Sequence, residues 1–170
     1  MGASFYAQDA LTVAPLLVGA RVCRRLADGA LLTARIVETE VYRGEEDGAC
    51  HARAGRTRRT ETLYAPGGFA YVYRVYGLHW LFNVVTGPRD CPQAVLLRAL
   101  EAPLDGPAKW TRAFFVTGEH NGLYLPDSRE IWLEEDVHPS LETAPRVGIA
   151  YAPEPWRSMP WRFIAKEGGR

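Results

Sequence analysis

The sequence predicts an α+β fold: a mostly antiparallel, curved β-sheet with a few short helices, made as a single domain by residues 1–170. Three observations predict it. Most apolar runs are short and alternate with period two, the strand signature. Glycine-marked turns separate consecutive runs at hairpin spacing. Only two stretches carry helix start and stop signals.

Taken in order, residues 8–17 read as a helix with Asp9 as N-cap, Gly19 as stop and Pro15 as a weak point. Residues 21–26 and 31–42 read as a hairpin across the Ala27-Asp28-Gly29 turn. A polar, arginine-rich loop covers 43–60, and loops of that length are often functional. Residues 69–76 form the strongest strand pattern. Phe69, Tyr71, Tyr73 and Val75 share one face, and Ala70, Val72, Arg74 and Tyr76 the other. Gly77 marks a tight turn, with Tyr76 at its tip, and 78–86 resumes as the partner strand. Residues 94–102 read as a buried strand or a short helix, the strand favoured because the stretch is short and follows a proline, with Arg98 inside it. A mid-strand arginine pairs with a carboxylate or faces a polar cleft. Gly106-Pro107 opens a second helix to about residue 117. Residues 131–134, 147–151 and 161–165 read as further strands.

Bulk properties narrow the function classes. The 170 residues are 47% hydrophobic and 24% charged, ordinary globular values. No apolar run reaches the roughly 20 residues needed to cross a bilayer, and no secretory signal opens the chain. Three cysteines without CxxC spacing read as free thiols, so a cytoplasmic location is expected. Twenty basic residues balance twenty acidic ones. The distribution matters more than the sum: Arg53, Arg56, Arg58 and Arg59 cluster, whereas Glu130, Glu134, Glu135 and Asp136 form a separate acidic region.

The chemistry concentrates in the stretch IVETEVYRGEEDGACH, residues 36–51. Glu38 and Glu40 fall on one strand face about 7 Å apart. A solvent-facing edge strand would account for them. So would a carboxylate base in a cleft, flanked by the rings of Tyr42 and His51. With the aromatics of 69–76 nearby, such a pocket suits a purine or pyrimidine pulled from a duplex, and loop arginines suit the surrounding phosphates. Tyr76 either folds back onto the protein or enters a partner as a wedge.

In their order along nearly the whole chain, several motifs resemble the alkyladenine (3-methyladenine) DNA glycosylases. They are Arg35-Ile-Val-Glu-Thr-Glu40-Val-Tyr42, Asp47 to His51, Tyr71-Val-Tyr73, Tyr76-Gly77, Asn83-Val84, Leu96-Leu-Arg98-Ala-Leu-Glu101, Gly106-Pro107-Ala-Lys109 and Arg146-Val-Gly148. The resemblance implies a monofunctional enzyme of base excision repair that excises alkylated or deaminated purines from damaged double-stranded DNA. It implies no cofactor and no metal, a monomer, and a nucleoid-associated place in the cytoplasm. It implies Glu40 as the base that activates water and Arg98 as its orienting partner. Tyr42, His51, Tyr73 and Asn83 would form the base pocket, Asn83 disfavouring guanine's amino group. Tyr76 would fill the gap left in the stack, and Arg53, Arg56, Arg59 and Lys109 would contact the DNA backbone. It assigns nothing to Glu38.

The chain departs from that pattern in three places. Only 102–105 precede the Gly-Pro helix, where relatives carry a longer basic segment. Thr60 and Glu61 stand where relatives often have Asn and a neutral or basic residue. The end, AKEGGR, is short of the loop with which relatives cover the catalytic water. Two other readings compete. Glu40, Asp47 and His51 could hold a metal for hydrolysis, a reading that activity in excess EDTA would dismiss. A damage-binding module without catalysis is the other, and strand cleavage after alkali on lesion-bearing DNA would dismiss that.

Overall fold

A computed structural model describes residues 1–166. Among the described residues eight strands form one sheet in the order Ala70–Val75 (β3), His79–Val85 (β4), Gln93–Leu100 (β5), Leu31–Arg43 (β2), Arg21–Arg25 (β1), Ile131–Glu134 (β6), with Arg162–Ala165 (β8) attached to β2 and Leu141–Ala144 (β7) to β8. The sheet curls into an open half-barrel with a few short helices, the α+β arrangement expected.

Two helices open the chain. Ala3–Tyr6 (α1) is a single turn that the sequence reading missed. Ala10–Leu17 (α2) begins where Asp9 accepts a hydrogen bond from the Leu11 N–H at 2.9 Å. Arg21–Arg25 (β1) and Leu31–Arg43 (β2) form the expected hairpin. β2 is the organising strand. Its residues 38–40 are paired on both edges, to β5 (Gln93–Leu100) and to β8 (Arg162–Ala165). The edge-strand reading of Glu38 and Glu40 is therefore corrected: strands on both sides cover this segment.

Ala70–Val75 (β3) and His79–Val85 (β4) make the aromatic hairpin. Alternation gives each face its own neighbours. Ala70 and Val72 enter the main core with Phe82 and Val84, while Tyr71 and Tyr73 pack in a second cluster with Cys50, Leu63 and Tyr64. Pro107–Ala113 (α3) lies against β4. Its Trp110 ring meets Phe82 at 5.6 Å between centroids, and its indole N–H donates to the Leu97 carbonyl at 2.8 Å. α3 ends four residues earlier than expected, because Phe115 turns into left-handed backbone at φ 53°.

Ile131–Glu134 (β6) pairs with β1. The strand expected at 147–151 is absent. Gly148, at φ 76°, bends that stretch, and the Val147 N–H donates to a side chain instead of a ladder. Leu141–Ala144 (β7), which the sequence reading missed, pairs with β8 in its place. The 43–60 loop is less irregular than expected, with a 3-10 turn at His51–Ala54. No described helix is long and apolar enough to cross a membrane. The final residues 167–170, on which the expectation about chain closure fell, lie outside the described residues.

Candidate active site

A cavity of about 630 Å³, within the range of small-molecule sites, opens on the sheet face away from the main core. Glu40 lines it from β2, Arg98 from β5, Tyr73 from β3 and Asn83 from β4. Tyr42, His51 and Tyr76 line it as well.

Glu40 is 1% exposed. Two donors hold its carboxylate in one orientation. The Val147 N–H donates to Oε1 and the Tyr42 hydroxyl to Oε2, both at 2.8 Å. Arg98 Nε lies 3.3 Å from Oε1. Burial raises the Glu40 pKa above its ordinary value, against the opposing pull of Val147, Tyr42 and Arg98. Burial also drives the Tyr42 hydroxyl upward, so it stays a donor.

The rings gather as the sequence predicts. His51 and Tyr73 stand edge to face at 4.5 Å, and Tyr71 lies 5.3 Å from Tyr73. His51 Nδ1 is 3.0 Å from the Tyr71 hydroxyl. Burial, then the charges of Arg59 and Arg53, lower the His51 pKa to about 4, so the ring is neutral at physiological pH. The buried Asn83 amide is fixed by donating to the Tyr71 carbonyl at 3.1 Å.

Tyr76 is 92% exposed at the hairpin tip. It and Gly77 take φ values of 50° and 66°, the pair of left-handed residues that a tight primed turn requires. A bulky residue in that region is a strained outlier, and such strain clusters at functional sites.

The four cations expected at the DNA backbone have different surroundings. Arg59 sits at the cavity, 5.9 Å from the Tyr73 ring centre. Arg53 stacks over Tyr151 at 5.4 Å. Arg56 is held by Glu61 and Asp90, both at 2.7 Å, and Lys109 by Asp105 at 2.7 Å. Arg56 and Lys109 thus each have an acidic partner at the protein surface, which the residue count did not reveal.

Behind the cleft lies a buried ion pair whose role sequence reasoning missed. Arg146 Nη1 meets Asp47 Oδ2 at 2.6 Å and Nη2 meets Oδ1 at 2.9 Å, with neither side chain exposed. The same guanidinium donates to the Val41 and Trp156 carbonyls and covers the Tyr42 and Trp161 rings at 4.8 and 5.1 Å. It thereby fixes the backbone just before Val147. The metal reading that joined Asp47 to Glu40 and His51 is not supported by this geometry. Arg146 and the N–H groups of Arg43 and Ala49 occupy Asp47. No three His, Cys, Asp or Glu side chains converge among the described residues.

The family model described as methylpurine-DNA glycosylase matches residues 4–106 and 101–168. A relative from Anaeromyxobacter dehalogenans strain 2CP-C is 43% identical over 96% of this chain and 82% of its own. One from Borrelia garinii subsp. bavariensis is 40% identical over 96% and 94%. A third, from Desulfitobacterium hafniense strain Y51, is 39% identical over 98% and 95%. All three carry the name "Putative 3-methyladenine DNA glycosylase". The class is therefore that of the DNA glycosylases, hydrolases of base excision repair. Within that class, the chain belongs to the methylpurine-DNA glycosylase family.

Proposed function

We propose that this enzyme excises 3-methyladenine and related methylated purines from double-stranded DNA, acting as a monomer on the chromosome in the cytoplasm. The target nucleotide leaves the stack and enters the cleft between the rings of Tyr42, His51 and Tyr73. Tyr76 fills the vacated space, and the free arginines around the opening meet phosphate.

The single observation that carries this reading is the state of Glu40. It is buried, oriented by two donors at 2.8 Å, and raised in pKa at the floor of an aromatic cavity. Such a carboxylate can take a proton from water while its charge stabilises the oxocarbenium-like sugar. The water oxygen bonds to C1′, the C1′–N bond breaks, and its electron pair leaves with the base. A purine methylated on a ring nitrogen is already cationic, so it departs neutral and needs no acid. Neutral lesions such as hypoxanthine or ethenoadenine need a proton, and a neutral His51 does not supply one at physiological pH.

The product is an intact strand with an abasic site. A lyase step needs an amine nucleophile. Neither of the chain's lysines, Lys109 and Lys166, lines the cavity. The decisive experiment measures methylpurine release from methylated duplex by the Glu40→Gln enzyme. Binding should persist while excision falls by about 10²–10⁴-fold. Undiminished release would overturn the assignment, and a borohydride-trapped protein–DNA adduct would overturn the monofunctional reading.

A further inference from the structure

Glu38 has no assigned part in the reaction, yet it belongs to the network around Glu40. The β2–β5 register shifts between Ile36 and Glu38 and again between Glu38 and Thr39. Glu38 and Thr39 face Ala99 and Leu97, which leaves Arg98 without a partner in the ladder. Such bulges re-aim side chains. Here the Arg98 guanidinium lies between two carboxylates, with Nε 3.4 Å from Glu38 Oε1 and 3.3 Å from Glu40 Oε1. Neither contact is an aligned hydrogen bond, and this buried Nε has no acceptor among the described residues.

Glu38 is held from its other side. Arg162 Nη1 donates to Glu38 Oε1 at 2.9 Å, and Arg162 Nε donates to the Pro145 carbonyl at 2.9 Å. Two residues further on, Val147 donates to Glu40. The contacts close a ring that runs from Glu40 through Arg98, Glu38, Arg162 and the 145–147 backbone to Glu40 again.

Resting on the reading of Glu40 as the base, we propose that Glu38 is a positioning residue that shares Arg98 with Glu40 and holds the guanidinium short of a full ion pair with the base. A full ion pair would favour ionised Glu40 and make it a weaker base. Glu38 opposes this by drawing Arg98 toward itself and by its own negative charge. Arg162 limits the effect by compensating that charge. The groups facing Glu40 are Tyr42 and Glu38 from β2, Tyr73 from β3, Arg98 from β5 and the Arg146–Val147 segment. Arg162 of β8 acts through Glu38.

The test is the pH profile of single-turnover excision from dimethyl sulfate-treated duplex, for wild type, Glu38→Gln and Arg162→Gln. The acid limb of Glu38→Gln should move to lower pH by about one unit, with a several-fold lower plateau and unchanged KM for DNA. The acid limb of Arg162→Gln should move the opposite way, because Glu38 then loses its compensating cation. A purely structural role would scale the whole profile or lower Tm without moving the midpoint. Unmoved midpoints in both variants overturn the proposal. If Glu38→Gln does not fold, the direction of the Arg162→Gln shift decides. Glu40→Gln runs in parallel. A dead Glu40→Gln with unmoved midpoints overturns only the role of Glu38, whereas an active one overturns the reading of Glu40 itself.

Discussion

The Tyr42 hydroxyl donates to Glu40 Oε2 at 2.8 Å, although only one residue separates them along β2. That bond favours ionised Glu40 against the larger effect of burial. Tyr42→Phe keeps the ring and removes the donor. The Glu40 pKa should then rise further, moving the acid limb of excision to higher pH with little change in lesion affinity. An unmoved limb would show that the hydroxyl does not hold the base.

For the wild type, the sign of the pH dependence follows from two shifts. Glu40 must be ionised to act, and its pKa lies above 4.5. Activity should therefore fade on acidification at a pH above the ordinary carboxylate range. Stability has the opposite dependence on Glu40. The folded state holds this proton more tightly, so the contribution is present below 4.5 and lost as pH rises through the raised value. His51 works the other way. Its contribution is present above 6.5 and lost as pH falls toward about 4. Profiles of kcat and of urea midpoint against pH check both signs.

The Asp47–Arg146 pair predicts a stability effect. Removing one partner of a buried pair leaves an uncompensated charge and costs about 3–5 kcal/mol. In a chain of this size each kcal/mol shifts Tm by about 2–4 °C. Thermal unfolding of Asp47→Asn should therefore show a fall of roughly 6–20 °C. A smaller fall would mean that water reaches the pair.

Tyr76 predicts stability and function moving apart. Tyr76→Gly relieves left-handed strain at an exposed tip and should raise Tm slightly, by up to about 1 kcal/mol of stability. The same change removes the wedge, so excision from duplex should fall while excision from a single strand changes less. Equal loss on both substrates would rule out the wedge.

Asn83 is the expected discriminator against guanine. Asn83→Ser shortens the side chain whose amide is fixed on the Tyr71 carbonyl. Release of unmodified guanine should rise above the wild-type background. Unchanged rejection would place the discrimination elsewhere in the cavity.

The sequence made much of this architecture legible, for reasons tied to particular residues. Alternation in Tyr71-Val72-Tyr73 placed rings on one face and core on the other, because a strand has one period and two sides. Asp9 marked the start of α2, because a cap acts locally. A mid-strand arginine such as Arg98 signals a carboxylate partner or a polar cleft, because a charge inside a sheet requires one or the other. The contributions of Val147 and Glu38 were less legible. The Val147 donor is a backbone N–H, which any residue except proline carries. The setting of Glu38 depends on a two-sided irregularity in strand pairing and on Arg162, distant in sequence. The expected strand at 147–151 failed for the same reason: a long-range bond to Glu40 replaced a ladder bond. The surface pairing of Arg56 and Lys109 likewise required knowing which acids lie beside them.

The two faces of the β3–β4 hairpin have one more consequence. Ala70, Val72, Phe82 and Val84 belong to the main core, while Tyr71, Tyr73 and Asn83 face the cavity. Changes that alter lesion choice and changes that alter folding can thus accumulate on alternate positions of the same two strands. A library confined to the cavity-facing positions could explore new specificities while leaving the other face of the hairpin as the scaffold.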